Sequence, residues 1–275
     1  MYSPTGEMVF NSNQVATLRI LLASLALLPF GYRAVKRTRI KKDVFYFMIV
    51  SICGNMLPAF LFTFAETGIS SGFAGMLNST TPIFTIFIGF GFFKIKMTWT
   101  QIIGSVIGSI GVVLLLYFGK AVSLQGDWKH IIAVVLATLC YATSLSIIRY
   151  KLSHYKSIDI AAIAFIILLI PSIIIFFLER TWIVFETNQF AWNNFMSISI
   201  LGLIGTAFAL FLFNNIIKNT SALFASSVTY FIPIVAVIIG FFFGEQLSAY
   251  QILSMFIVLL GVFIANFLGI KNSRH

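Results

Sequence analysis

Apolar residues in this chain neither recur every three or four positions nor alternate with polar ones. They come in blocks of about 20, the length at which a helix crosses the hydrocarbon core of a bilayer. Nine blocks lie near residues 14–32, 43–65, 71–93, 101–118, 130–149, 158–178, 195–217, 222–243 and 251–270. Short polar or basic segments separate them. Barrel strands are shorter and alternate, whereas a helix satisfies its own backbone hydrogen bonds in lipid. The pattern therefore predicts an all-α polytopic membrane protein. The first block is not a cleavable leader, because it lacks a basic start, contains Arg19, and "LLPFGYR" offers no small-residue cleavage site.

Two blocks carry a proline inside the apolar run: "NSTTPIFTIFIGF", Asn78 to Phe90, and "VTYFIPIVAVIIGF", Val228 to Phe241. A shift of 151 residues brings Phe73 onto Phe224, Ala74 onto Ala225, Pro82 onto Pro233 and Gly89–Phe90 onto Gly240–Phe241. After a one-residue slip, Gln101–Ile102 meets Gln251–Ile252 and Gly111–Val112 meets Gly261–Val262. Chance matches of apolar residues are common in such a chain, but proline, glycine and glutamine in register mark an internal repeat. Five spans separate each element from its copy, so the copies face opposite ways across the membrane. That is an inverted-topology repeat of five-helix halves, a plan common among secondary transporters.

A proline inside a helix removes one hydrogen bond and frees the carbonyl four residues back, at a cost of about 3 kcal/mol or more. The carbonyls freed here are those of Asn78 and Thr229. Ser79, Thr80 and Thr81 stand close enough in sequence to satisfy the first. A packing kink and a break lining a central pathway are both open readings, and the symmetry of the two prolines favours the pathway.

The repeat divides the chain into a short outer segment (1–13), a first half (14–118), a second half (127–270) and a cytoplasmic tail (271–275). Pro233 lies 105 residues beyond Trp128, whereas only 81 residues precede Pro82. The first half is thus short by about one helix, the counterpart of 130–149. Its natural first helix is expected upstream, as an apolar run of about 20 residues.

Charge changes the picture next. The chain is 59% hydrophobic and 9% charged, with a net charge of +10 and a mean hydropathy of +1.00. A basic balance can signal nucleic acid, but placement here excludes it. With alternating loops, fourteen Lys and Arg fall on one side and three on the other, Arg19 being the remaining one of 18. Such an excess marks cytoplasmic loops, which puts the C-terminus inside and Met1 outside. Trp182 and Trp192 read as anchors at the outer interface. Short loops favour a bacterial inner membrane.

Cys53 and Cys140 sit in apolar runs and read as small buried residues rather than a disulfide pair. His130, His154 and His275 lie at segment ends, without metal-ligand spacing. No cofactor motif is present. "GSVIGSIG", Gly104 to Gly111, carries a GxxxG spacing and reads as close helix packing.

Polar groups at membrane depth are the remaining candidates, since they are costly there and usually face the bundle interior. Arg19 stands about one and a half turns into its span, where it either pairs with an anionic group on the substrate, snorkels to the interface, or pairs with Glu66. Asn55, Thr63 and Glu66 share one helical face, as do Asn78, Thr81 and Thr85. Thr206 and Asn214 share another, and Ser226, Thr229 and Tyr230 accompany Pro233. For each residue the plainer reading is an interhelical hydrogen bond, worth about 0.6 kcal/mol on average. The candidate substrate pathway is Arg19, Asn55, Thr63, Asn78, Thr81, Asn214, Ser226 and Tyr230, with helix breaks at Pro82 and Pro233.

"FIPIVAVIIGFFFGEQLSAYQILSMFIVLLGVFIA", Phe231 to Ala265, resembles the last two helices of the EamA-type drug/metabolite transporters. Pro233, Gly244–Glu245, Leu247–Ser248, Gln251 and Gly261–Val262 carry the likeness. "QVATLRILLASLALLP", Gln14 to Pro29, resembles that family's second helix, arginine included, at Arg19. The resemblance implies ten helices in two inverted halves, both termini cytoplasmic, and export or exchange of small metabolites. The chain departs from the family in two ways: the first helix is absent, and "KIKMT", Lys94 to Thr98, puts Ile95 where the turn's acid stands.

A secondary transporter of small organic metabolites is the leading function, working by alternating access between the halves. An interior of aromatic, amide and hydroxyl groups suits neutral or zwitterionic solutes such as amino acids better than polyanions. A membrane-embedded transferase needs acids, histidines or cysteines converging at an interface, and the acidic residues here are scattered. A non-transporting membrane subunit is the other alternative. The expected partners are a small-molecule substrate and the lipid bilayer. In intact cells, a membrane-impermeant thiol reagent should label Ser12→Cys and spare Ser273→Cys; labelling of the latter from outside overturns the orientation.

Overall fold

The computed structural model describes residues 8–37, 42–94, 98–122, 128–219 and 248–265, with single positions at 235, 238 and 242. Its helices are α1 (Ser12–Arg37), α2 (Val44–Ala65), α3 (Ser71–Asn78), α4 (Thr81–Phe93), α5 (Trp99–Val122) and α6 (Trp128–Tyr150). They continue with α7 (Ser157–Leu178), α8 (Thr181–Thr187), α9 (Ala191–Gly202, Leu203–Phe208 and Ala209–Asn219) and α10 (Ala249–Phe263). Six of the described stretches are long and apolar enough to cross a membrane, counting α3 and α4 as one, and parts of α5 and all of α10 are shorter apolar helices. Eight of the nine expected spans thus correspond to helical stretches, and the span near 222–243 lies outside the described residues apart from those single positions. The short α8 was not anticipated from hydropathy. Cys53 and Cys140 are half-buried rather than buried, and both are free of disulfides.

The chain forms two compact units. One comprises Met1–Phe64 with Ile147–Asn219, the other Ala65–Ser146 with Thr220–His275. In the first unit the most extensive packing joins α1 to α7. The two run antiparallel: Asn13 and Gln14 at the start of α1 reach Glu179 at the end of α7, while Arg37 at the end of α1 reaches Asp159 at the start of α7. Their seam is built of small and branched residues, Ala16, Ile20, Ala23 and Leu27 against Ala161, Ala162, Phe165 and Leu168. Gly31 lets the helices close up, since a Cβ there would lie 2.9 Å from the Ala162 carbonyl oxygen.

In the second unit the dominant packing is α5 against α10. The GxxxG stripe lies in this seam, as its spacing predicts. A Cβ on Gly261 would sit 2.6 Å from Gly108 Cα, and one on Gly111 would sit 2.6 Å from the Val258 amide nitrogen. These two contacts are images of each other, because 150 residues separate Gly108 from Val258 and Gly111 from Gly261. Further along the pair, Phe118 stacks on Tyr250 with ring centroids 5.0 Å apart. In each unit, therefore, a helix lies antiparallel to its own counterpart in the repeat, the arrangement an inverted repeat requires.

The glutamines that aligned in the sequence have a structural job. Thr98 and Gln101 exchange side-chain hydrogen bonds with each other's backbone amides at the start of α5, and Ser248 and Gln251 do the same at the start of α10. Asn11 and Gln14 form a like pair before α1. Each box satisfies two amides that the first helical turn leaves open.

Replacing Gly261 by valine forces two backbones apart and is expected to cost about 1–3 kcal/mol. Gly89 has nothing within 4 Å of an added Cβ. Thermal unfolding of the detergent-solubilised protein should therefore show a clear loss for G261V and near-wild-type behaviour for G89V.

Candidate functional site

Two of the long helices are interrupted by a π-turn, a single widened turn with hydrogen bonds five residues apart. In α2 it spans Ile52–Met56, and in α9 it spans Leu203–Phe208. The offset between their starts is the repeat shift of 151 residues. The same shift carries Asn55 onto Thr206 and Thr63 onto Asn214. Both π-turns belong to the first unit.

The side chains that brace the turns are also matched. Asn55 Nδ2 donates to the Val50 carbonyl at 3.2 Å, and Thr206 Oγ1 donates to the Leu201 carbonyl at 2.9 Å. Each bond reaches back five residues, and the shift of 151 maps one acceptor onto the other. A π-turn leaves a helical carbonyl displaced from its usual partner, so a short polar side chain at that level fills the gap.

Arg19 emerges from α1 beside the second of these turns. Its Nε donates to Thr206 Oγ1 at 2.6 Å. Gly202 permits the approach, because a Cβ there would lie 3.1 Å from the Arg19 carbonyl oxygen. The Thr206 hydroxyl thus accepts from the guanidinium and donates to its own helix. Arg19 is half-buried, and a neutral hydroxyl rather than a carboxylate holds it. Thr63 spends its hydroxyl on the Ala59 and Phe60 carbonyls, the inward helix bond of a packed residue. Asn214 is 1% exposed, and its Oδ1 has no hydrogen-bond partner. A narrow crevice in the same unit, lined by Thr17, Ile20, Met56, Phe60, Leu168, Ser172 and Ile175, has no room for a water molecule.

In the second unit the expected break at Pro82 is present. α3 ends at Asn78, Ser79 and Thr80 form a turn, and Pro82 occupies the first turn of α4. Thr81 Oγ1 donates to the Asn78 carbonyl at 2.8 Å, which is the carbonyl that proline frees. Ser79 Oγ donates to the Met76 carbonyl and Thr85 Oγ1 to the Thr81 carbonyl. Thr80 meets Thr138 of α6, with hydroxyls 3.4 Å apart. Asn78, Ser79, Thr80, Thr81 and Thr85 are all buried. The copy at Pro233, with Ser226 and Tyr230, lies outside the described residues.

The described acidic residues stand at helix ends or outside the long spans. Asp43 precedes α2, Glu66 follows it, Asp159 is in the first turn of α7, Glu179 follows α7, and Glu186 is on α8. Asp43 accepts from the Tyr155 hydroxyl at 2.8 Å and lies 3.3 Å from His154 Nε2. Burial, with the Asp43 bond and charge, pushes the Tyr155 hydroxyl up to about 12, so it remains a donor at physiological pH. Sequence reasoning missed the two π-turns and Thr206 as the partner of Arg19. The available signal was the repeat shift itself, applied to Asn55 and Thr63.

Long apolar helices, counterpart helices packed antiparallel, and polar groups held within the spans are the features of a polytopic membrane transporter. The EamA-like transporter family matches the chain twice, over residues 5–117 and 128–267, and the chain belongs to that family. It is similar to an uncharacterized transporter of Clostridium kluyveri, 22% identical over 91% of this chain and 82% of that protein. The uncharacterized inner membrane transporter YedA of Escherichia coli is 25% identical over 90% of this chain and 79% of its own length. The uncharacterized transporter YdfC of Bacillus subtilis is 30% identical, over half of this chain and 43% of its own length. A crystal structure with a TM-score of 0.64 and 14% identity covers 95% of this chain and 89% of that one, showing a shared fold. The protein is a multi-pass membrane transporter and not an enzyme.

Loss of either brace should loosen its π-turn without unfolding the helix. Asn55→Leu and Thr206→Val each remove about 0.5–1.5 kcal/mol, which corresponds to about two- to tenfold faster amide exchange across 50–57 or 201–209. Hydrogen-exchange mass spectrometry of the detergent-solubilised protein reads this directly, and unchanged rates remove the bracing role.

Proposed function

We propose that the protein carries small organic metabolites, amino acids among them, by alternating access between its inverted halves. The observation that supports this most is the recurrence of a π-turn and its polar brace at the repeat offset in α2 and α9. Irregular turns in membrane helices are tolerated where protein or a water-filled cavity surrounds them, and they cluster at functional positions. On this reading the pathway uses Arg19, Asn55, Thr63, Asn78, Thr81 and Asn214, with Ser226 and Tyr230 from the second proline helix. The breaks at Pro82 and Pro233 are its symmetric helix interruptions. The halves run from 14 to 118 and from 127 to 270. The basic loops and the C-terminus face the cytoplasm of a bacterial cell.

Facilitated diffusion or exchange is the coupling that fits the acidic residues. Proton-coupled carriers usually place an Asp, Glu or His inside the membrane pathway, and the described carboxylates stand at helix ends or outside the long spans. Arg19 does not release its proton at physiological pH.

The test is transport in proteoliposomes carrying the protein. Labelled amino acids should exchange across the membrane, and an imposed pH gradient should not concentrate them above equilibrium. Absence of any exchange for the twenty L-amino acids sinks this substrate class. Gradient-driven accumulation abolished by Glu66→Gln overturns the coupling and puts a proton carrier at Glu66.

A further inference from the structure

We infer that Arg19 and Thr206 form a binding site for the carboxylate group of the solute, with Thr206 as the residue that positions the guanidinium. The inference rests on the transport reading and adds to it the chemical group recognised and the residue that aims the donor.

The geometry of the pair carries the argument. The Arg19 Nε is taken by Thr206 Oγ1 at 2.6 Å. The Thr206 hydrogen is committed to the Leu201 carbonyl, so the oxygen presents a lone pair to the guanidinium. That fixes one edge of the planar group and leaves the fork formed by its two Nη atoms. Among the described residues nothing accepts a hydrogen bond from this fork. The fork matches a carboxylate, with two parallel N–H···O bonds.

Among the described residues of the same unit no carboxylate forms an ion pair with Arg19, and Glu186 on α8 is exposed. Asp43 is occupied by Tyr155 and His154, Asp159 by Arg37, and Glu179 by Asn11 and Asn13. A guanidinium inside a span is costly without a counter-charge. The repeat also shows that the cation is not needed to build the π-turn. Asn55 braces the equivalent turn in α2, and α7, the counterpart of α1, has no ionisable residue between Asp159 and Glu179. Within the apolar spans of the pair, residues 14–32 and 158–178, Arg19 is therefore the one positive charge, on the α1 side. A single cation matches a monocarboxylate, and a polyanion would bring charge that nothing there neutralises.

Carboxylate protection of Arg19 from phenylglyoxal tests this without depending on transport. The full chain is treated in detergent, and modification of each arginine is quantified by peptide mass spectrometry. Acetate, glycine, L-alanine and L-leucine are each compared with the corresponding amide. The carboxylates should slow modification of Arg19, the amides should not, and Arg33 and Arg149 should be unaffected by either. Thr206→Val should raise the carboxylate concentration needed for protection by about tenfold, the loss of one hydrogen bond to a charged group. Thr206→Ser should restore it.

Resistance of Arg19 to modification in the absence of carboxylate overturns the inference, as does equal protection by amides. Protection by phosphatidylglycerol with none by soluble carboxylates assigns Arg19 to a lipid headgroup and also overturns it. Protection without transport sinks the transport reading alone, and transport without protection sinks the carboxylate site alone.

Discussion

In hydrocarbon every backbone carbonyl must find a donor inside the protein, and this requirement accounts for most of the polar chemistry within the spans. Thr17, Ser51, Thr63, Ser146 and Ser254 each return a hydroxyl hydrogen to the carbonyl four residues back on their own helix. Where the helix departs from regularity, the same residue types take up the displaced carbonyls. Thr81 does so at the Pro82 break, and Asn55 and Thr206 do so at the π-turns. Hydroxyl and amide groups here serve the backbone first. Arg19 stands apart because it carries a charge and its bond runs to another helix.

The second organising feature is the pairing of counterpart helices. Hydrophobicity does not drive helices together in lipid, so close packing must. Gly31 against Ala162, and Gly104, Gly108 and Gly261 against one another, allow the backbones to approach where side chains would hold them apart. Beta-branched and small residues then fill the seams, as Ile83 does with Val258 and Val262. A duplicated chain with its copies inverted offers such pairs for free, because two copies of one surface meet antiparallel.

The spans, the repeat and the proline break were legible because hydropathy, proline and glycine each leave a direct mark in the sequence. The GxxxG stripe was legible for the same reason. The π-turns were not. They add one residue to a helical turn and leave the hydrophobic block unbroken, so composition carries no trace of them. Asn55 with Thr63 and Thr206 with Asn214 were each recognised as sharing a face, yet the repeat shift that superposes the two pairs was applied only to the proline helices. The partner of Arg19 was sought among carboxylates and lipid, and a threonine hydroxyl escaped notice because its polarity is small. The α1–α7 and α5–α10 pairings were equally hidden, since hydropathy gives the spans and not their neighbours.

The antiparallel α1–α7 pair is fastened at both extremities. Glu179 takes amide hydrogens from Asn11 and Asn13 and its backbone carbonyl takes one from Gln14, while Arg37 Nη2 lies 2.6 and 2.7 Å from the two oxygens of the buried Asp159. A ratchet of one helix past the other by a turn, about 5.4 Å, has to sever both fastenings together. The cheaper deformations in this unit are those that leave the pair intact and flex α2 and α9 where their ladders are already widened. The stiff spine and the pliable struts of the unit are thereby assigned to different helices.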